Sequence, residues 1–190
     1  TDKILVFATD GRFYTLGVDK LPGGRGFGEP LRLILDLAQG HDIVSLFLYN
    51  PDRKLLVASS DGRGFVVQEK AVFAQTRAGK QVLNVGGETR AMVCHPGAGD
   101  MGACVGENRK VLGFPLEELP EMGRGKGVRL QKYKDGGLSD AMTFAIEHGL
   151  TWKDPAGRTR TETDLSEYLG KRASAGRMAP RGFPRDNKFT

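Results

Sequence analysis

Lys54-Leu55-Leu56-Val57-Ala58-Ser59-Ser60-Asp61-Gly62-Arg63-Gly64-Phe65-Val66-Val67 is the stretch that decides the fold. An apolar run, an Asp-Gly turn and an apolar return make a β-hairpin. The same pattern stands upstream, where Lys3-Ile4-Leu5-Val6-Phe7-Ala8 leads to Asp10-Gly11 and returns through Arg12-Phe13-Tyr14-Thr15-Leu16. Asp-Gly-Arg occupies the turn in both copies. A third copy runs Gly102-Ala103-Cys104-Val105, turns at Glu107-Asn108-Arg109 and returns through Val111-Leu112-Gly113-Phe114. A looser fourth runs Gly149-Leu150-Thr151-Trp152-Lys153, turns at Asp154-Pro155-Ala156-Gly157 and comes back through residues 159–163.

Between the hairpins stand loops that mix glycine or alanine with positive charge. They are Gly23-Gly24-Arg25-Gly26, Thr76-Arg77-Ala78-Gly79-Lys80, Gly123-Arg124-Gly125-Lys126-Gly127-Val128-Arg129 and Ala173-Ser174-Ala175-Gly176-Arg177. Their centres recur about every 50 residues, a period that signals a radial or stacked repeat. Further strands are expected at 31–35, 43–48, 82–85, 91–94, 128–133 and 141–146, with one short helical turn at 164–169 capped by Thr163 or Asp164. Copies of four antiparallel strands at this period imply an all-β, propeller-like ring of about four blades, with approximate boundaries 1–49, 50–98, 99–146 and 147–190. The fourth copy shows no obvious last strand, so the ring is expected to be open or truncated.

Composition agrees with many short strands. Of 190 residues, 27 are glycine and 39% are hydrophobic, a mix that favours strands and tight turns over a helical bundle. Lys and Arg number 28 against 23 acids, a net charge of +5 with pI ≈ 9.3. From Lys171 onward stand Lys171, Arg172, Arg177, Arg181, Arg185 and Lys188 against the single acid Asp186, a bias toward a polyanionic partner. Cys94 and Cys104 make neither a disulfide framework nor a zinc set, and read as buried thiols of a cytosolic protein. No apolar run has the length of a membrane helix. The chain enters a strand at once after Thr1 with no signal peptide, and reads as a piece of a longer polypeptide.

Catalytic motifs are missing. His41, His95 and His148 have no second ligand at helical spacing, and Cys94-His95 are neighbours that point to opposite faces of a strand. Gln81 follows Gly79-Lys80, and Gly127 follows Gly125-Lys126, where a P-loop needs Ser or Thr. A loop that alternates glycine with Arg and Lys suits phosphate through close backbone approach and cationic forks.

Taken together, Asp10-Gly11-Arg12-Phe13-Tyr14, Leu21-Pro22-Gly23-Gly24-Arg25-Gly26-Phe27-Gly28-Glu29-Pro30-Leu31, Arg77-Ala78-Gly79-Lys80 and Phe114-Pro115 followed by Gly125-Lys126-Gly127 resemble the C-terminal domain of the DNA topoisomerase IV A subunit. The resemblance covers nearly the whole chain and is weakest after Gly149. It implies one β-pinwheel domain over residues 1–190, whose blades exchange strands and whose basic rim holds bent duplex DNA. It also implies protein partners, namely the remainder of the same polypeptide together with the ATPase, or B, subunit of a heterotetramer, and no membrane. No cofactor is expected in this domain; ATP and Mg belong to other domains of the holoenzyme, as does the catalytic tyrosine. The related gyrase A subunit carries a Gln-Arg-Arg-Gly-Gly-Lys-Gly box in its first blade. Here the nearest remnant is Gly123-Arg124-Gly125-Lys126-Gly127, in the third repeat. Arg25, Arg77, Lys80, Arg124, Lys126, Arg129, Lys132, Lys134, Lys171, Arg172 and Arg177 are the expected DNA contacts. A propeller that docks an acidic protein through the same loops is the alternative.

Overall fold

Each hairpin closes because its turn accepts a left-handed residue. Gly11 and Gly62 take φ +80 and +87, the region glycine enters without a Cβ clash. The Asp10 carboxylate accepts the Arg12 N–H at 3.0 Å, and Asn108 accepts that of Lys110 at 3.0 Å in the third copy. The computed structural model describes residues 2–20, 31 and 34–190. Strands β1 (Lys3–Ala8) and β2 (Arg12–Gly17) form the first hairpin, β4 (Lys54–Ser59) and β5 (Arg63–Gln68) the second. Strands β8 (Met101–Gly106) and β9 (Lys110–Pro115) form the third, β12 (Leu150–Lys153) and β13 (Thr159–Glu162) the fourth.

An inner strand joins the first strand of three hairpins: β3 (Ile43–Leu48) on β1, β7 (Ala91–Pro96) on β4 and β11 (Leu138–Phe144) on β8. The outer strands β6 (Lys80–Gln81), β10 (Val128–Arg129) and β14 (Arg177–Met178) are only two residues long. They give sheet orders β3-β1-β2-β6, β10-β5-β4-β7 and β11-β8-β9-β14. Each of these sheets therefore takes its outer strand from the following repeat. Strand β7 packs against both β3 and β11, which places the inner strands side by side and the outer strands at the perimeter.

Stacking explains the uninterrupted apolar runs. Leu5, Phe7 and Phe13 of the first sheet meet Leu55, Val57 and Phe65 of the second. Leu56, Ala58 and Val66, on the second sheet's other face, meet Cys104, Leu112 and Phe114 of the third. A strand buried on both faces has no reason to alternate apolar with polar residues. The third sheet's far face, with Met101, Ala103 and Val105, packs on Leu150, Trp152, Phe183 and Phe189. Strand β12 alternates instead, Leu150 and Trp152 buried and Thr151 and Lys153 exposed, since it covers only one neighbour.

The all-β reading holds, with corrections to individual elements. The fourth repeat forms a two-stranded sheet, not a four-stranded one. Leu31 and Ile34 are helical, and the Leu35 N–H donates to the Leu31 carbonyl at 3.0 Å, where the sequence suggests a strand. Leu31 and Leu35 are four residues apart, so one helical turn lays both on Ile4 and Val6. The strand expected at 82–85 gives way to β6 just before it, and that at 128–133 shrinks to β10. In both places the chain leaves the edge of the preceding repeat's sheet to rejoin the sheet of its own repeat. The turn near 166–168 is capped by Asp164, whose carboxylate accepts the Ser166 N–H at 3.3 Å and the Ser166 hydroxyl at 2.7 Å.

Candidate nucleic-acid interface

Glycine decides where the basic loops lie. Gly79, Gly127 and Gly176 have φ +78, +79 and +82 and stand immediately before the three outer strands. A Cβ at Gly127 would lie 2.3 Å from the Gly64 carbonyl oxygen, and one at Gly176 2.5 Å from that of Val111. The loops therefore approach β5 and β9 as closely as backbone can. Lys80 pairs with Phe13, Val128 with Gly64 and Arg177 with Val111, so the loops at 76–80, 123–129 and 173–177 occupy equivalent points of successive sheets.

Backbone hydrogen bonds join the crossing that follows each outer strand to the loop of the next repeat. The Gly125 N–H donates to the Val82 carbonyl at 2.9 Å, and the Asn84 N–H to that of Gly125 at 2.8 Å. One repeat further on, the Ala173 N–H donates to Leu130 at 2.8 Å and the Lys132 N–H to Ser174 at 2.9 Å. The result is one continuous ribbon along the outer edges of the stacked sheets. Arg77, Lys80, Arg124, Lys126, Arg129, Lys132, Lys134, Lys171 and Arg177 are exposed on it. Arg25 and its loop lie outside the described residues.

Not every cation on this ribbon is available to a ligand. Arg172 is half-buried: its Nε donates to the Glu118 carbonyl at 3.0 Å and its Nη1 to the Arg129 carbonyl at 2.6 Å. Its own amide donates to a Glu118 carboxylate oxygen at 2.9 Å. This arginine ties the third and fourth repeats together. The Lys80 ammonium donates to the Ala71 carbonyl at 2.7 Å, leaving two of its protons to solvent. Nor is the basic C-terminal stretch a loose tail. Phe183 and Phe189 are buried, and Arg109 donates to the carbonyls of Pro184 at 2.8 Å and Phe183 at 3.1 Å.

Sequence reasoning treats Arg12 and Arg63 as turn residues and misses their place on the ribbon, where pairing sets them opposite Gln81 and Arg129. Their recurrence in Asp-Gly-Arg is the available signal. Cys104 is buried as expected, but Cys94 is only half-buried; desolvation pushes both thiols well above their ordinary range. Among the described residues no group of three or more His, Cys, Asp or Glu could hold a metal ion, and no helix is long and apolar enough to cross a membrane.

Comparison with known proteins agrees with this architecture. A family model described as the DNA gyrase C-terminal domain, beta-propeller, matches residues 2–50, 53–92 and 103–138. The A subunit of DNA topoisomerase 4 from Caulobacter vibrioides is 49% identical over 189 residues, spanning 100% of this chain and 25% of that protein. Its Rickettsia bellii counterpart is 45% identical over 190 residues, again 100% of this chain and 26% of the relative. The chain thus spans about a quarter of the length of these relatives. Among solved structures, the Escherichia coli ParC C-terminal domain superposes with a TM-score of 0.79 at 28% identity, covering 97% of this chain and 79% of that one. A gyrase A C-terminal domain, at 16% identity and a TM-score of 0.68, shares the fold over 92% of this chain and 59% of its own.

Proposed function

The chain belongs to the family of DNA gyrase C-terminal domains, and from that premise we propose that it holds and bends duplex DNA as the C-terminal domain of a topoisomerase IV A subunit. The observation that carries this reading is the continuous ribbon, on which loops tied to one another through the intervening crossings present cations at equivalent points. Contacts from Lys and Arg to phosphate position a duplex without reading its sequence. A curved edge lined this way bends the duplex, at a deformation cost of about 1–6 kcal/mol that additional phosphate contacts offset. Arg77, Lys80, Arg124, Lys126, Arg129, Lys132, Lys134, Lys171 and Arg177 supply those contacts; Arg25 joins them by its place in the repeat. Arg172 acts chiefly through the backbone it holds.

In the whole enzyme this domain feeds a bent segment to the cleavage machinery in the rest of its own polypeptide, which works with the ATPase partner in decatenation and supercoil relaxation. ATP and Mg serve those other parts. The assembly works in the cytoplasm, on the nucleoid.

A gel-shift series in salt tests the reading. Binding should be independent of sequence, with a slope of about 0.9 in log–log form for each phosphate neutralised. Replacing Arg124, Lys126 and Arg129 together by alanine should lower that slope by up to about 2.7. Unchanged affinity in this triple variant would move DNA off the ribbon.

A further inference from the structure

The three junctions between a hairpin turn and its outer-strand loop are equivalent in backbone but not in closure. At the first, Arg12 reaches across and its Nη1 donates to the Ala78 carbonyl at 3.1 Å. At the third, the Gln131 amide bridges the carbonyls of Lys110 at 2.9 Å and Ala175 at 3.0 Å. Among the described residues neither bridge exists at the second. Arg63 stands where Arg12 does, but its nearest charged partner is Asp61, with Nε 3.8 Å from the carboxylate. Leu83 stands where Gln131 does and is buried in the core. A cleft of about 230 Å³ remains, lined by Arg63, Asn84, Val85, Gly86, Thr89 and Lys126.

This lining has the chemistry of a phosphate seat. Arg63 and Lys126 bring a fork and a point charge to it. The Val85 and Gly86 amides donate to no acceptor among the described residues. The Asn84 carboxamide oxygen takes Arg124 Nε at 3.4 Å, which leaves its NH2 as a donor. Asp61 also borders the cleft, but its carboxylate accepts the Ser59 hydroxyl and faces Arg63, so its charge is partly met. We propose that this open second junction seats one backbone phosphate of the duplex, with Arg63 and Lys126 as its cations and the 84–86 backbone as its floor. The inference rests on the DNA-holding reading above and adds Arg63 and the 84–86 segment to it. Because the seat takes groups from the 84–89 crossing and the 123–127 loop, an occupying phosphate also clamps neighbouring repeats.

The test is fluorescence anisotropy of a labelled 30-base-pair duplex at several salt concentrations. Arg63→Gln should lower affinity on the order of tenfold at low salt and reduce the salt slope by about 0.9. Gly86 supplies an arm that removes no contact. A Cβ there meets nothing within 4 Å and its φ is ordinary, so Gly86→Asp is tolerated and adds a carboxylate to the cleft's lining residue, while Gly86→Asn adds a neutral carboxamide of the same size. Aspartate should weaken binding several-fold relative to asparagine, so that the difference between the two reads charge at the seat and not the substitution itself. If Arg63→Gln keeps wild-type affinity and slope and the two Gly86 variants bind alike, the seat is overturned while the ribbon stands. If the wild-type chain itself shows no salt-dependent binding, the DNA-holding reading fails and takes the seat with it.

Discussion

Replacing Arg172 by alanine separates a structural cation from a ligand-binding one. Its guanidinium makes two charge-assisted hydrogen bonds to backbone carbonyls, at 3.0 Å to Glu118 and 2.6 Å to Arg129. Bonds of this class contribute about 1.5–3 kcal/mol each when sheltered. The Arg129 contact faces solvent, so screening and competing water cut its share. A net loss of about 2–3 kcal/mol follows for the pair. For a chain of this size that corresponds to a melting temperature lower by roughly 5–10 °C. Differential scanning fluorimetry reads this directly, and a parallel anisotropy titration reads DNA. The variant should melt early yet lose less salt slope than Lys126→Ala, because Arg172 has two of its donor nitrogens committed to backbone. A melting temperature within about 2 °C of wild type, with a slope reduced by about 0.9, would refute the reasoning and return Arg172 to the phosphate contacts.

Two further outcomes test the framework. Gly127→Ala combines a left-handed φ of +79 with a Cβ 2.3 Å from the Gly64 carbonyl oxygen, so it should cost more than about 2 kcal/mol and weaken DNA binding by releasing β10. Gly123→Ala, whose Cβ meets nothing within 4 Å, is the control, and equal melting temperatures for the two would count against the close approach. In the fourth hairpin, the Asp154 carboxyl is held below its ordinary range first by the Arg158 N–H, then by the Arg160 side chain and the Ala156 N–H. A depressed folded-state value means the stabilisation is present above the unfolded value of about 3.9 and is lost as pH falls through the folded one. Fluorescence of Trp152, the sole tryptophan, should report the hairpin loosening in that acid window, and Asp154→Asn should remove that part of the pH dependence.

The four hairpins and their order were legible in the sequence because a hairpin is local. Asp10-Gly11 and Asp61-Gly62 set turn geometry within two residues, and the apolar runs on either side need no distant partner to be recognised. Leu31 and Leu35 show the limit: short apolar spacing fits a strand or one helical turn equally, and contact with Ile4 and Val6 decides between them. The outer strands show it more sharply. Lys80–Gln81 and Arg177–Met178 carry no strand pattern of their own, since two residues make no periodicity; they are strands only because β2 and β9 offer a free edge, and Val128–Arg129 on β5 is all that remains of the strand expected at 128–133.

By itself, then, the sequence determined an all-β repeat with glycine-basic loops at equal intervals, because turn chemistry and apolar runs act over a few residues. Tertiary structure alone decided which cations share an edge and which are committed. Arg12 and Arg63 look identical in their Asp-Gly-Arg turns, yet one is tied to Ala78 and the other borders an open cleft. That difference lies in residues far away in sequence, Ala78 and Lys126 among them, which reach the turns only once each sheet has taken its outer strand from the next repeat.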